Sequence, residues 1–468
     1  MFIRICPDFA RIFHSQPPER VKFLDNILEL LNQNPLKARP LLDLFAQMNA
    51  VDIADALEQV ENRQAIAAFR LLDEDLAADV FSYISPEKQE MLAEGLNDAE
   101  LVGIMNELRV DDIVDFIEDV SDDIGKRVLD QVSPEMGALV DRMLDYPDDS
   151  AGSVMTTEIV ELSTDMTVKD ALHTIRTSGV DKETIYTCYV IDADRRLIGA
   201  VTADTLVRAN LNQPIESLMD TNVISANATD DQEELANQFR KYDLIAMPVV
   251  NRGGQLVGIV TVDDILRVIA EETTEDFEKM AGINPLDEPY MKTGVLKHAR
   301  NRIAWLLILM LTAAITGAII STFEDSLAVL PVLVAFIPML MGAGGNAGAQ
   351  STTVVIRGMA LGEIVIKDVL RVVWRETRIA LLCGLVLGVA NYARIWIMHD
   401  RNATLALVVS LSLGITLVVA KSIGCTLPIL AKKMHIDPAT MAAPIITTIV
   451  DCTALIVFFS IARIAFNI

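Results

Sequence analysis

PIITTIVDCTALIVFF, Pro444 to Phe459, sets one carboxylate, Asp451, inside an otherwise apolar run with no basic residue in the same stretch. A carboxylate near mid-bilayer costs about 2.5–3.5 kcal/mol on insertion scales, so it must face a polar interior or water. Working outward, four more apolar runs precede it, giving spans at roughly 302–322, 328–356, 378–398, 404–430 and 440–466. Each is long enough to cross a hydrocarbon core of about 30 Å. Arg357, Lys367, Arg371, Arg375 and Arg378 lie between the second and third runs, and Lys432 and Lys433 follow the fourth. The positive-inside rule then places those loops on the same side as the N-terminal half, with Glu324, Asp325 and Asp400 opposite.

Upstream of about residue 300 the character reverses. The whole chain has 468 residues, 51% hydrophobic, yet carries a formal charge of −26. Asp and Glu crowd the first part, so an acidic soluble half precedes a membrane half. That balance argues against nucleic acid, whose phosphates demand Lys and Arg, and suits a cation partner. Acidic surface also serves plain solubility, and composition alone does not choose. The scattered cysteines Cys6, Cys188, Cys383, Cys425 and Cys452 show no CxxC pair and no nearby His spacing, which argues against a zinc site or disulfide framework and fits a reducing compartment for the soluble half. MFIRICPDFARIF at the N-terminus is too short for a signal peptide, so the soluble half is expected to stay in the cytoplasm. No nucleophile–base pair, P-loop or HExxH is present, and no enzyme is expected.

Residues from about 20 to 145 space their apolar side chains at helix period, as in Leu24, Ile27, Leu28 and Leu31. Pro86 and Pro134, in SPEKQ and SPEMG, mark helix starts. The reading is an all-helical domain, a solenoid of hairpins. A repeat follows: RRLIGAVTADTL (Arg195 to Leu206) returns as GQLVGIVTVDDIL (Gly254 to Leu266), with Gly199, Thr202 and Asp204 recurring as Gly258, Thr261 and Asp263. Each unit reads strand, helix, strand, strand, helix, turning at Asp192-Ala193-Asp194 or Gly253-Gly254. It resembles a tandem pair of CBS domains, which implies regulation and no particular chemistry. A charged helical stretch, Ile269 to Gly282, leads to the membrane.

Two stretches carry chemistry. Around Asp451, Thr447, Thr448 and Thr453 can supply oxygens. Either the carboxyl is protonated or hydrogen-bonded between helices, or it is a cation-binding ring residue in a two-fold dimer. Hard, hydrated Mg²⁺ is held by one or two carboxylates while keeping its waters, which suits the second reading. In IPMLMGAGGNAGAQSTTVVIRG, the glycines Gly342, Gly344, Gly345 and Gly348 permit close helix approach or a break in the span. Asn346 and Gln350, four residues apart, share a helix face and could orient the water shell of an ion. Packing alone is the plainer reading of the glycines.

GGNAGAQS, the APIITTIVD stretch ending at Asp451, the tandem repeat and the helical N-terminal part together resemble the MgtE family of magnesium channels over nearly the whole chain. The resemblance implies a multidomain protein: an all-α acidic N-terminal domain (1–149), two α/β CBS domains (150–212 and 213–270), a plug or connecting helix (271–300), and an α-helical transmembrane pore domain (301–468) with five spans per subunit. It also implies a homodimer in the inner membrane with its pore on the two-fold axis. By the same resemblance Asp451 selects the ion, Asp437 in HIDPAT lies at the intracellular pore end, and Glu272, Glu275 and Asp276 sit on the plug. Further acidic positions implied as Mg²⁺ ligands are Glu233, Asp243 and Asp264 in the second repeat and Asp111, Asp112 and Asp115 in RVDDIVDF. Arg267 departs from the acidic residue of some relatives. ATP at the CBS cleft is implied by resemblance only. Rival readings are a CBS-regulated sensor on a membrane anchor and a divalent-cation exporter coupled to Na⁺ or H⁺.

Overall fold

The computed structural model describes residues 27–31, 38–178, 182–286, 290–291, 293–441 and 443–467. The N-terminal stretch with Cys6 and Leu24 lies outside the described residues, as does Pro289. Two compact units divide the chain at Leu266/Arg267.

In the first unit, short helices follow one another among the described residues: α1 (Ala38–Phe45), α2 (Ala50–Glu58), α3 (Asn62–Phe69), α4 (Glu74–Ser82), α5 (Pro86–Gly95), α6 (Asp98–Glu107), α7 (Val110–Asp119), α8 (Asp122–Leu129) and α9 (Pro134–Leu144). Polar starts explain the short lengths. Asp73, Asn97 and Ser133 cap α4, α6 and α9 with their side chains, and Pro86 and Pro134 occupy first turns. Helices pack on the helix two along, α2 with α4, α3 with α5, α4 with α6, α7 with α9. This is the solenoid of the sequence reading. Phe45, Phe69, Phe81 and Phe116 fill its core.

The repeat folds as read. Its first copy holds β1 (Glu161–Ser163), α10 (Val168–Ser178), β2 (Thr187–Ile191), β3 (Leu197–Thr202) and α11 (Ala203–Arg208). The second holds β4 (Ala226–Asn227), α12 (Gln232–Tyr242), β5 (Ala246–Val250), β6 (Leu256–Thr261) and α13 (Val262–Met280). In each sheet the first strand is parallel to the second and the second antiparallel to the third. Glycine at the repeated position is required by close approach: a Cβ on Gly199 would meet Met219 Sδ at 2.8 Å, and one on Gly258 would meet Met155 Sδ at 2.6 Å. Each methionine leads the other copy, so the two glycines lock the copies together. Because α13 starts at Val262, the closing helix of the second copy and the expected plug are one helix, and the boundary expected at 270/271 falls inside it.

The second unit contains α14 (Val295–Thr322), α15 (Glu324–Val329), α16 (Ile337–Ala360), α17 (Val369–Met398), α18 (Ala403–Lys433) and α19 (Ala443–Phe466). Five helices among the described residues are long and apolar enough to cross a membrane. They match the five expected runs, but α17 begins nine residues before the expected 378. α16 packs between α18 and α19, and α14 lies against α19.

Candidate ion-conducting site

Glycine decides how α16 sits. A Cβ on Gly344 would meet Thr416 Cγ2 and Val450 Cγ1, both at 2.8 Å, and one on Gly348 would meet Ile446 Cγ2 at 2.9 Å. Gly345 lies under Thr447, whose Cγ2 would be 3.3 Å from an added Cβ. The small face of α16 is therefore sealed against α18 and α19. Asn346 and Gln350 lie on the opposite, exposed face. Lipid cannot satisfy two carboxamides, so a polar neighbour must cover that face in a bilayer.

Asp451 follows Val450, which touches α16, and is half-buried. The helix carrying the carboxylate and the helix carrying the amides are thus packed side by side. Thr448 Oγ1 lies 3.2 Å from Thr312 Oγ1 on α14, and Cys452 Sγ lies 3.6 Å from Thr316 Oγ1. Those contacts orient Thr448 toward the first span, whereas Thr447 lies over the glycine seam.

A second acidic group surrounds the turn before α19. Asp437 Oδ1 accepts from Ala439 N at 2.8 Å, which fixes the carboxylate at the start of a 3₁₀ turn, Pro438–Met441. Its other oxygen lies 2.7 Å from Lys279 Nζ, and the same ammonium lies 2.6 Å from Glu275 Oε1. Burial first, and then repulsion from Asp437, raise the pKa of Asp276 above the ordinary carboxylate value. Glu272 is half-buried one turn earlier on the same helix. Lys279, which composition did not single out, is the cation that joins these carboxylates.

The first unit gathers a third group. Asp111 Oδ1 on α7 is sealed from solvent without a hydrogen-bond partner. Burial, then repulsion from Asp112, Glu158 and Asp264, raises its pKa well above the ordinary value. Arg109 Nη1 binds Glu183 Oε2 at 2.6 Å, and Thr261 Oγ1 donates to Asp264 Oδ2 at 2.7 Å. The helical domain and the repeat pair therefore meet across carboxylates. Asp115 is half-buried on the same helix. Glu233 and Asp243, exposed at the two ends of α12, are not brought together. Glu158 and Glu183 were missed by sequence reasoning, since neither lies in a recognisable motif. Among the described residues, no three His, Cys, Asp or Glu side chains are grouped to hold a metal ion. The carboxylates stand near one another without forming a finished cage.

Comparison with known proteins matches residues 337–461 to a divalent cation transporter family, MgtE, residues 48–149 to the MgtE intracellular N domain, and residues 151–212 and 215–271 to the CBS domain. The magnesium transporter MgtE of Thermus thermophilus is 33% identical over 429 residues, 91% of this chain and 95% of that one. Its counterpart in Bacillus subtilis is 33% identical over 426 residues, 91% and 94% of the two chains. The crystal structure of the soluble part of a magnesium transporter aligns with a TM-score of 0.51 and 27% identity, covering 54% of this chain and 99% of that one. With its five apolar helices, its paired repeats and its helical N-terminal domain in the same order, this chain belongs to the MgtE family of magnesium transporters.

Proposed function

We propose that the protein mediates Mg²⁺ uptake across the cell inner membrane as a homodimer, with the ion path on the two-fold axis between subunits. The observation that carries this reading is the exposed face of α16. Asn346 and Gln350 point away from their own subunit's helices, beside the helix that holds Asp451. A second copy related by two-fold symmetry supplies a polar partner for that face and brings two Asp451 carboxylates toward each other. Mg²⁺ dehydrates reluctantly, so the carboxylates act on a hydrated ion and the amides orient its waters.

Closure is assigned to Mg²⁺ on the side of the acidic domains. Repulsion around Asp111 and around Asp276 opposes the compact arrangement, and a bound divalent ion removes it. Moving such an equilibrium from 1:99 to 99:1 needs about 5.5 kcal/mol of differential binding, within reach of several weak sites. The soluble half is then cytoplasmic. ATP at the CBS pair belongs to this reading by family resemblance alone.

Uptake into liposomes tests it. Asp451→Asn should keep the protein folded while lowering Mg²⁺ flux about 10-fold or more, since the amide cannot replace the ring charge. Normal Mg²⁺ preference in the variant would remove Asp451 from the pathway. Flux that requires an imposed Na⁺ or pH gradient would replace the channel reading with coupled export.

A further inference from the structure

Charge is also buried away from the ion path. Glu376 on α17, Lys421 on α18 and Ser351 on α16 are 9%, 6% and 1% exposed. Ser351 Oγ donates to Glu376 Oε2 at 2.5 Å and accepts from Lys421 Nζ at 3.2 Å. The ammonium lies 3.7 Å from the same carboxylate oxygen. Three membrane helices meet at one charged point. Holding both ions out of water is costly, and a buried pair is weak evidence for stability; its best-attested use is to fix register.

The middle of α16 has few large side chains to set its register. Its seam is made of glycines, and a Cβ on Gly424 of α18 would come within 2.4 Å of Gly348 O, so the two backbones run in direct contact. Leu340 before this stretch and Val355, Ile356 and Met359 after it are buried, but the glycine stretch itself offers no large side-chain knob to resist sliding. Thr352 Oγ1 donates to Gly424 O at 2.8 Å, but a neutral bond to one carbonyl can be remade on the next. Ser351 instead bonds both members of the ion pair, and hydrogen bonds to charged partners are the stronger kind. Sliding by one residue's rise, about 1.5 Å, would displace both Asn346 and Gln350. Ser351 directly follows Gln350.

We propose that the Glu376–Ser351–Lys421 clasp is a positioning device that fixes the axial register of α16 and so holds Asn346 and Gln350 at the ion path. The inference rests on the transport reading above. All three residues act through α16 and touch no ion.

The test uses the full-length protein in detergent and in liposomes, with Ser351→Ala, the double variant Glu376→Gln/Lys421→Met, and the swap Glu376→Lys/Lys421→Glu. Hydrogen exchange in peptides from 337–360 should rise about 10-fold in the first two, with 295–322 unchanged. Mg²⁺ discrimination over Na⁺ should fall about 10-fold in the same two. The swap, which rebuilds the pair, should recover most of both. A merely structural role would lower thermal stability without separating Mg²⁺ from Na⁺ flux. Wild-type exchange in Ser351→Ala, or raised exchange with unchanged discrimination, overturns the proposal. If the charge variants do not fold, Ser351→Ala decides by the same readouts. Exchange is read without flux, so wild-type liposomes that pass no Mg²⁺ would sink the transport reading and leave the register question answered by exchange.

Discussion

Lys279 Nζ sits 2.7 Å from Asp437 Oδ2 and 2.6 Å from Glu275 Oε1, so a tethered ammonium stands where the sequence reading expects a bridging divalent ion. Burial by itself would lower the lysine's pKa, but its bonds to Asp437 and Glu275 outweigh that and hold it more firmly protonated than a free lysine. The helix therefore reaches the turn before α19 with part of its repulsion already cancelled. On the proposed closure, a divalent ion then has less charge to neutralise, with Asp276 next to Glu275 in sequence.

Replacing Lys279 by Gln removes the internal cation and leaves Glu275, Asp276 and Asp437 facing one another. The contact should weaken by about 1 kcal/mol, which raises flux at low Mg²⁺ roughly 5-fold. Suppression at high Mg²⁺ should survive and depend more steeply on concentration. Uptake measured across a Mg²⁺ titration checks both; unchanged basal flux would show that the ammonium holds nothing shut.

Asp276 links the same contact to pH. Burial and Asp437 raise its pKa in the docked helix, against weaker opposition from Lys279 and Arg357. A raised carboxyl favours the state in which it is raised below the ordinary value, and that advantage is lost as pH rises through the raised value. Acidification from pH 7 toward about 5 should thus favour docking and reduce flux. Asp276→Asn should remove this slope and lower flux at neutral pH. A pH profile of uptake that is identical in wild type and variant would contradict the assignment.

Asp111 makes the corresponding statement in the first unit. Its sealed oxygen lacks a partner, and its pKa is raised by burial and by Asp112, Glu158 and Asp264. Without Mg²⁺, Asp111→Asn should stabilise the acidic region by about 1–2 kcal/mol, because no charge then has to be buried. Adding Mg²⁺ should protect the variant from limited proteolysis less than the wild type. Equal Mg²⁺ protection in both would exclude Asp111 as a sensor.

Much of this arrangement is legible in the residues alone. Apolar runs fix the five spans, the repeat fixes the paired sheets, and GGNAGAQ beside the lone Asp451 marks the helices that pack together. What escaped is pairing at a distance. Glu376 falls two residues before the third span expected from hydropathy, among Arg371, Arg375 and Arg378, so it reads as a loop charge. α17 starts at Val369 and carries it inside, where Lys421 of the next helix meets it. Lys279 was hidden for a different reason: a reading that seeks cation ligands passes over the one cation in the stretch, although its spacing four residues after Glu275 on a helix predicts their contact.

Gly424 offers the sharpest test of the close seam. A Cβ there would lie 2.4 Å from Gly348 O and 3.0 Å from Gly348 C, and backbone atoms cannot swing aside as a side chain can. Gly424→Ala must therefore push α16 away from α18. Overpacking of this kind costs about 1–3 kcal/mol, so the thermal midpoint in detergent should fall by several degrees and Mg²⁺ flux with it. Gly317 on α14 supplies the contrast, since a Cβ there meets nothing within 4 Å. Gly317→Ala should leave the midpoint unchanged or slightly raised, because alanine is the better helix former by about 1 kcal/mol. Equal tolerance of alanine at both positions would mean that the two helices are not in backbone contact.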